Sequence, residues 1–170
     1  MSPRVVIVGM PASGKSTVGS HVAEALGVPF HDADDVIEAS TGKLIREIFS
    51  DDGEEAFRAI EEQVVLELLG TDDCVVSLGG GSVISPTIRA ALLGMPVVWL
   101  EVGVATATRR AGLNQLRPLL LGDVRARMET LLAERRHLYE EVATFRLSTD
   151  RVTTDEIADQ IVAALKEPDK

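Results

Sequence analysis

Short apolar runs alternate along this chain with longer stretches whose apolar residues recur every three or four positions, the pattern of strands separated by amphipathic helices. Val5-Val6-Ile7-Val8 is apolar throughout and stops at Gly9, as a strand buried on both faces of a parallel sheet does. Lys15 to Leu26 reads as a helix with Gly27 as its C-terminal cap. Val28-Pro29-Phe30-His31 predicts a short second strand running into Asp32-Ala33-Asp34-Asp35, where Asp35 is expected to cap a helical segment from Val36 to Ser40. A turn at Thr41-Gly42-Lys43 and a brief amphipathic piece from Leu44 to Phe49 follow, and Ser50-Asp51-Asp52-Gly53 breaks the pattern. From Glu54 to Leu69, the residues Phe57, Ile60, Val64 and Leu68 share one face of a long helix.

The alternation continues without any internal sequence repeat. Cys74 to Leu78 is a third strand ending in Gly79-Gly80-Gly81, Ser85-Pro86 opens a helix to about Leu93, and Val97 to Glu101 is a fourth strand. Val104 to Ala111 is helical. Residues 112–123 carry a glycine near each end, a proline inside and no period, which predicts a mobile lid. Val124 to Glu141 is a charged helix with Met128, Leu131, Leu132 and Leu138 on its buried side; Thr144 to Ser148 suits a fifth strand, and Thr153 or Thr154 caps a last helix to about Leu165. The expected fold class is α/β: a three-layer α/β/α sandwich around a five-stranded parallel sheet with right-handed crossovers.

Composition narrows the function classes. With 170 residues and 45% hydrophobic content the chain holds one sizeable core, so residues 1–170 are expected to form a single domain. A net charge of −10 argues against nucleic acid or a membrane surface as partner, and leaves any anionic ligand to local arginines and backbone dipoles. One cysteine, Cys74, and three scattered histidines provide neither a disulfide framework nor zinc-ligand spacing. Met1-Ser2-Pro3-Arg4 runs straight into the first strand, which leaves no signal sequence to expect, and Ala90 to Leu100 is well short of the roughly 20 residues of a membrane span. A cytoplasmic monomer is the expectation.

Candidate chemistry gathers at strand ends. Gly9-Met10-Pro11-Ala12-Ser13-Gly14-Lys15-Ser16 matches the phosphate-loop pattern G-x-x-x-x-G-K-[ST] between a strand and a helix, the context in which backbone N–H groups cradle nucleotide phosphates. Lys15 adds charge at the outer phosphates, and Ser16 is placed to ligate the magnesium that accompanies them. Asp32 and Asp34 lie at the C-terminal end of the second strand, where open α/β sheets bind ligands. The three glycines after the third strand suit a close backbone approach to a ligand at that same edge. Taken alone, Arg58 suits a surface pair with Glu54 or Glu62, and Arg109 and Arg110 suit a helix C-terminus. An arginine in the lid, Arg117, together with the absence of an Asn-Lys-x-Asp guanine-reading motif, favours a small-molecule kinase over a nucleotide switch.

These motifs resemble the shikimate kinase family. The resemblance rests on the phosphate loop, Asp32-Ala33-Asp34, Gly53-Glu54 with Phe57-Arg58 and Glu61, Leu78-Gly79-Gly80-Gly81, and Arg117-Pro118-Leu119-Leu120, in the family's order and spacing from Gly9 to Tyr139. It implies a P-loop kinase that transfers the γ-phosphoryl of ATP to the 3-hydroxyl of shikimate, with Mg2+. Pro11, Ala12, Ser13, Gly14, Lys15, Ser16 and Thr17 would hold the phosphates, with Arg110 on the adenine and Arg151 as a second contact. Arg117 would reach the transferring phosphoryl group. The substrate region would span about residues 32–61: Asp34 orienting the attacking hydroxyl, Asp32 with Ser16 holding the metal, and Arg58 gripping the carboxylate. The backbone of Gly79, Gly80 and Gly81 would complete the acceptor pocket. The family often shows Arg-x-Pro-x-Tyr after the lid; this chain has Arg135-Arg136-His137-Leu138-Tyr139, and counting back four from Tyr139 selects Arg135 for the carboxylate, with Arg136 as a salt-bridging neighbour. The proline expected near Thr154 is also missing. A gluconate or other polyol kinase on the same scaffold, and an ATP-binding module without turnover, are the alternatives.

Overall fold

The computed structural model describes residues 2–113 and 121–166. Strands β1 (Val5–Val8), β2 (Phe30–Asp32), β3 (Val75–Ser77), β4 (Val97–Glu101) and β5 (Phe145–Ser148) form one parallel sheet in the order β2-β3-β1-β4-β5. Ile7 lies level with Ser77 and with Val98, and Asp32 lies level with Ser77. The chain therefore leaves β1, β2 and β3 at one edge of the sheet, and the phosphate loop, the acidic pair and the glycine run are brought together there.

Alternation along the strands builds the two cores. Val5 and Ile7 point with Val75, Val98 and Leu100 at helices α1 (Lys15–Leu26) and α8 (Thr154–Lys166), where Val18, Val22, Ile157 and Ile161 meet them. Val6, Val8, Val76, Val97 and Trp99 point the other way, into a core completed by Phe57, Val65, Leu92, Met128 and Tyr139. These come from α4 (Glu54–Leu69), α5 (Pro86–Leu92) and α7 (Leu121–Val142). This is the three-layer architecture expected from the pattern.

Local chemistry moves two of the expected boundaries. Helix α2 (Ala33–Thr41) begins three residues before Val36, and its cap is Asp32, whose Oδ1 accepts the N–H of Asp34 at 2.9 Å and of Asp35 at 3.3 Å. Asp32 ends β2 in an extended conformation that aims its short carboxylate at the first helical turn, so strand passes to helix with no linker and Asp35 is left exposed in that turn. Helix α6 (Val104–Leu113) and α7 also take in the ends of the span 112–123 expected as a lid, while Arg117 lies outside the described residues.

Helix α3 (Ile45–Asp52) and α4 meet at Gly53, whose φ of 88° and ψ of 167° lie in a region essentially restricted to glycine. Among the described residues, no helix is long and apolar enough to cross a membrane.

Candidate active site

Helix α1 starts with neither a side-chain cap nor an acidic residue in its first turn, which leaves its N-terminal N–H groups and positive dipole end to an anion. Gly14 precedes it at φ 88°. The lysine is folded back into the loop: Lys15 Nζ donates to the carbonyls of Gly9 at 2.9 Å and Met10 at 2.8 Å and to Ser13 Oγ at 3.5 Å. Burial lowers the Lys15 pKa to about 8, helped by the charge of Arg135 and opposed by Asp34 and Asp32. Arg110, on α6, donates to the Ala12 carbonyl at 3.1 Å and so props the loop from outside. Arg151 sits at φ 63° in the turn before α8, and Asp150 beside it accepts the Gly103 N–H at 3.1 Å, tying that turn to the start of α6.

The two oxygens of Asp32 have different partners. While Oδ1 caps α2, Oδ2 accepts a short hydrogen bond from the Ser16 hydroxyl. Asp34, two residues further on, faces Asp32, Glu61 and Lys15. Burial, then Asp32 and Glu61, push its pKa up to about 6 against the pull of Lys15. A cavity of about 320 Å³ is lined by Pro11, Lys15, Ser16, Asp32, Asp34 and Gly80, among others. One hydroxyl and one carboxylate side by side at its wall are hard oxygen donors, the set a magnesium ion takes from protein when phosphates and water complete its shell. Thr17 lines the same cavity.

Each of the three glycines is required by a different neighbour. A methyl group on Gly79 would lie 2.9 Å from Asp34 Oδ1 and 3.1 Å from Glu61 Oε2, and one on Gly80 would lie 2.8 Å from Pro11 Cδ. On Gly81 it would lie 2.5 Å from both Nη1 and Nη2 of Arg58. The turn is the floor over which the acidic pair, the phosphate loop and the arginine all lean.

Arg58 does not pair with Glu62. Its Nη1 bonds Glu61 Oε1 at 2.7 Å, with Glu54 Oε1 3.6 Å from Nε, while Glu62 turns outward to Ser85 Oγ at 2.6 Å. Glu61 is only 3% exposed and its other oxygen accepts from Ser82 Oγ at 3.1 Å, so one buried carboxylate orients both Arg58 and the end of the glycine turn. The spacing of three between Arg58 and Glu61 on one helix was the available signal for this pair.

Arg135 and Arg136, neighbours on α7, differ in burial and in partners. Arg136 is exposed and bonds Glu140 at 3.3 Å and Glu101 at 3.5 Å. Arg135 is 9% exposed, and its Nε has no hydrogen-bond partner among the described residues; the same holds for Arg58 Nε. A desolvated guanidinium with a spare donor, as Arg135 has, is costly unless an anion meets it, whereas Arg58 is already held by Glu61. Tyr139, which sequence reasoning used only as a landmark, donates from its hydroxyl to the Gly80 carbonyl at 2.6 Å.

Comparison with known proteins gives a consistent family. A family model described as shikimate kinase matches residues 11–166. A shikimate kinase of Saccharopolyspora erythraea is 52% identical over 163 residues, covering 95% of this chain and 93% of its own. One from Mycobacterium bovis is 48% identical over 169 residues, with 99% and 96% covered. Among solved structures, that of a shikimate kinase from Acinetobacter baumannii in complex with shikimate superposes with a TM-score of 0.89 at 34% identity, covering 97% of this chain and 93% of that one.

Proposed function

The chain belongs to the shikimate kinase family, and we propose that its site transfers the γ-phosphoryl group of ATP to the 3-hydroxyl of shikimate, giving shikimate 3-phosphate and ADP. The observation that carries the acceptor assignment is the pair of arginines at the glycine turn that Asp34 overhangs: Arg58, beside Gly81, and the buried Arg135, one helical turn from the Tyr139 that bonds Gly80, each with an Nε that makes no hydrogen bond among the described residues. A small acceptor with a carboxylate at one end and hydroxyls at the other satisfies both ends of that arrangement.

In this reading the loop from Pro11 to Thr17 and the N-terminus of α1 bind the phosphates. Lys15 exchanges its bonds to the Gly9 and Met10 carbonyls for phosphate oxygens, and with Arg117 it stabilises charge on the transferring group. Ser16 and Asp32 are the residues that would hold Mg2+, whose charge offsets that of the phosphate oxygens. Asp34 orients the 3-hydroxyl and accepts its proton, a task suited by a pKa raised to about 6. Arg58, held by Glu61, and Arg135 grip the carboxylate; Arg110 and Arg151 flank the adenine. A monomer in the cytoplasm completes the proposal.

The deciding assay is ADP release with ATP and magnesium in the presence of shikimate, gluconate, a nucleoside monophosphate or no acceptor. Strong stimulation by shikimate alone is expected; equal slow hydrolysis in all four would sink the acceptor assignment.

Two further expectations follow from the geometry. Asp34 must be ionised to take a proton, so kcat/KM for shikimate at saturating ATP rises as pH passes through about 6. Lys15 must be protonated to bind phosphate, so the affinity of the free protein for ADP, measured by calorimetry, falls as pH passes through about 8. A flat acid limb between pH 5 and 7, or level ADP affinity up to pH 9.5, removes the corresponding role. Replacing Gly81 by Ala puts a methyl 2.5 Å from the Arg58 guanidinium and displaces it; KM for shikimate is expected to rise about tenfold with loss of one charged hydrogen bond. Steady-state kinetics should leave KM for ATP within about a factor of two, and equal losses for both substrates would point to a general collapse of the turn.

A further inference from the structure

Tyr139 is fully buried (0% exposed) and its ring stacks on Trp99 with centroids 5.7 Å apart. Packing alone accounts for the ring. It does not account for the hydroxyl, which is aimed away from the core and into the acceptor side of the site, where it donates to the Gly80 carbonyl at 2.6 Å. Gly80 is the middle residue of the turn, and its other face is closed by Pro11 of the phosphate loop, 2.8 Å from where a Cβ would stand. The turn is thus clamped between α7 and the phosphate loop, and the Tyr139 hydroxyl is the α7 jaw.

Arg135 lies one helical turn before Tyr139, on the same face of α7. Burial drives the Tyr139 pKa up to about 12 while Arg135 and, more weakly, Arg58 pull it back, so both guanidinium groups bear on this phenol. It stays protonated and remains a donor throughout the working range. A carbonyl fixed at Gly80 sets the direction of the adjacent amide groups of the turn.

We propose that the Tyr139 hydroxyl is a positioning group for the acceptor: it holds the glycine turn through the Gly80 carbonyl and keeps Arg135 in register with that turn, without touching the acceptor itself. This rests on the acceptor being shikimate. The consequence is selective. Acceptor binding depends on this hydroxyl, whereas nucleotide binding, built on Lys15, Ser16 and Arg110, does not.

The test is Tyr139→Phe, which retains the ring and its stacking on Trp99. KM for shikimate is expected to rise about tenfold, the scale of leaving a half-buried carbonyl without its donor, with KM for ATP and kcat within about a factor of two. A purely structural tyrosine would instead lower Tm and leave the ratio of the two KM values unchanged, and that result overturns the proposal. The chain has a single tryptophan, Trp99, so a second readout is independent of the variant's folding. Saturating shikimate is expected to change Trp99 emission in the native protein while ADP alone does not, and a silent Trp99 also overturns the proposal. The native protein assayed alongside separates the two levels: no shikimate-dependent ADP release defeats the acceptor assignment and this inference with it, whereas normal native turnover with an unchanged Phe variant defeats this inference alone.

Discussion

Replacing Asp34 by Asn is expected to lower kcat about 10²- to 10⁴-fold, the usual range for losing a positioned proton acceptor, and at the same time to make the protein more stable above pH 6. Both effects have one origin. In the folded chain the carboxylate is partly buried beside Asp32 and Glu61, which raises its pKa from 3.8 to about 6. A raised carboxylate pKa means that the folded state binds the proton more tightly than the unfolded state does. The ionised form is therefore a cost that sets in as pH rises above about 4 and is complete above about 6. The amide has no charge to desolvate, so the variant should gain a few degrees in Tm at pH 8, on the scale of about 2–4 °C per kcal/mol for a chain of this size. The gain should shrink to a small remainder near pH 4, where the folded carboxyl is protonated and the unfolded one, with its ordinary pKa of 3.8, is only partly ionised. Thermal melts of the two proteins at pH 4, 6 and 8, with kcat measured at pH 8, decide the matter. A variant that keeps its turnover is incompatible with Asp34 as proton acceptor, and one that is less stable at pH 8 is incompatible with a strained carboxylate.

Replacing Arg135 by Ala should raise KM for shikimate between about tenfold and a hundredfold, from about 1.5–3 kcal/mol for a hydrogen bond to a charged group. The neighbouring Arg136→Ala is the control. Arg136 is exposed, shares Glu140 and Glu101 with solvent, and lies 5.9 Å from the Trp99 ring. Exposed pairs of that kind are worth little, so its loss should change KM less than about twofold. Isothermal titration of both variants with shikimate gives the comparison directly. Reversed effects would assign the carboxylate to Arg136 instead, and an unaffected Arg135→Ala would remove Arg135 from the acceptor site.

Much of the molecule is legible in its sequence because each signal is local. The apolar run Val5-Val6-Ile7-Val8, the phosphate loop and the helix behind it each follow from contiguous residues, and five such strands dictate a parallel sheet with helices on both faces. Single-residue choices among adjacent acids were less legible. Asp32, Asp34 and Asp35 are all competent caps by type; which one serves depends on where β2 stops, and that is set by pairing with β3 down to Asp32 opposite Ser77. The partner of Arg58 was harder to read: Glu54 or Glu62 was expected, and Glu61, which lies just as near along the helix, takes its closest bond. Burial against the glycine turn selects Glu61, and burial is a property of the packed molecule. The Tyr139 contact joins residues 59 apart in sequence, and no periodicity carries it.

The crowding around Gly79, Gly80 and Gly81 also bears on how such an enzyme changes its choice of substrate. A turn in which every added methyl collides with a working group offers no side chain to vary, so variation at the turn damages the machinery before it alters selectivity. Retargeting toward another polyhydroxy acid has to proceed through the walls, by exchanging groups on α2, α4 and α7 that reach over an unchanged base. A library built to redirect this protein would be best concentrated there, with the three glycines held constant.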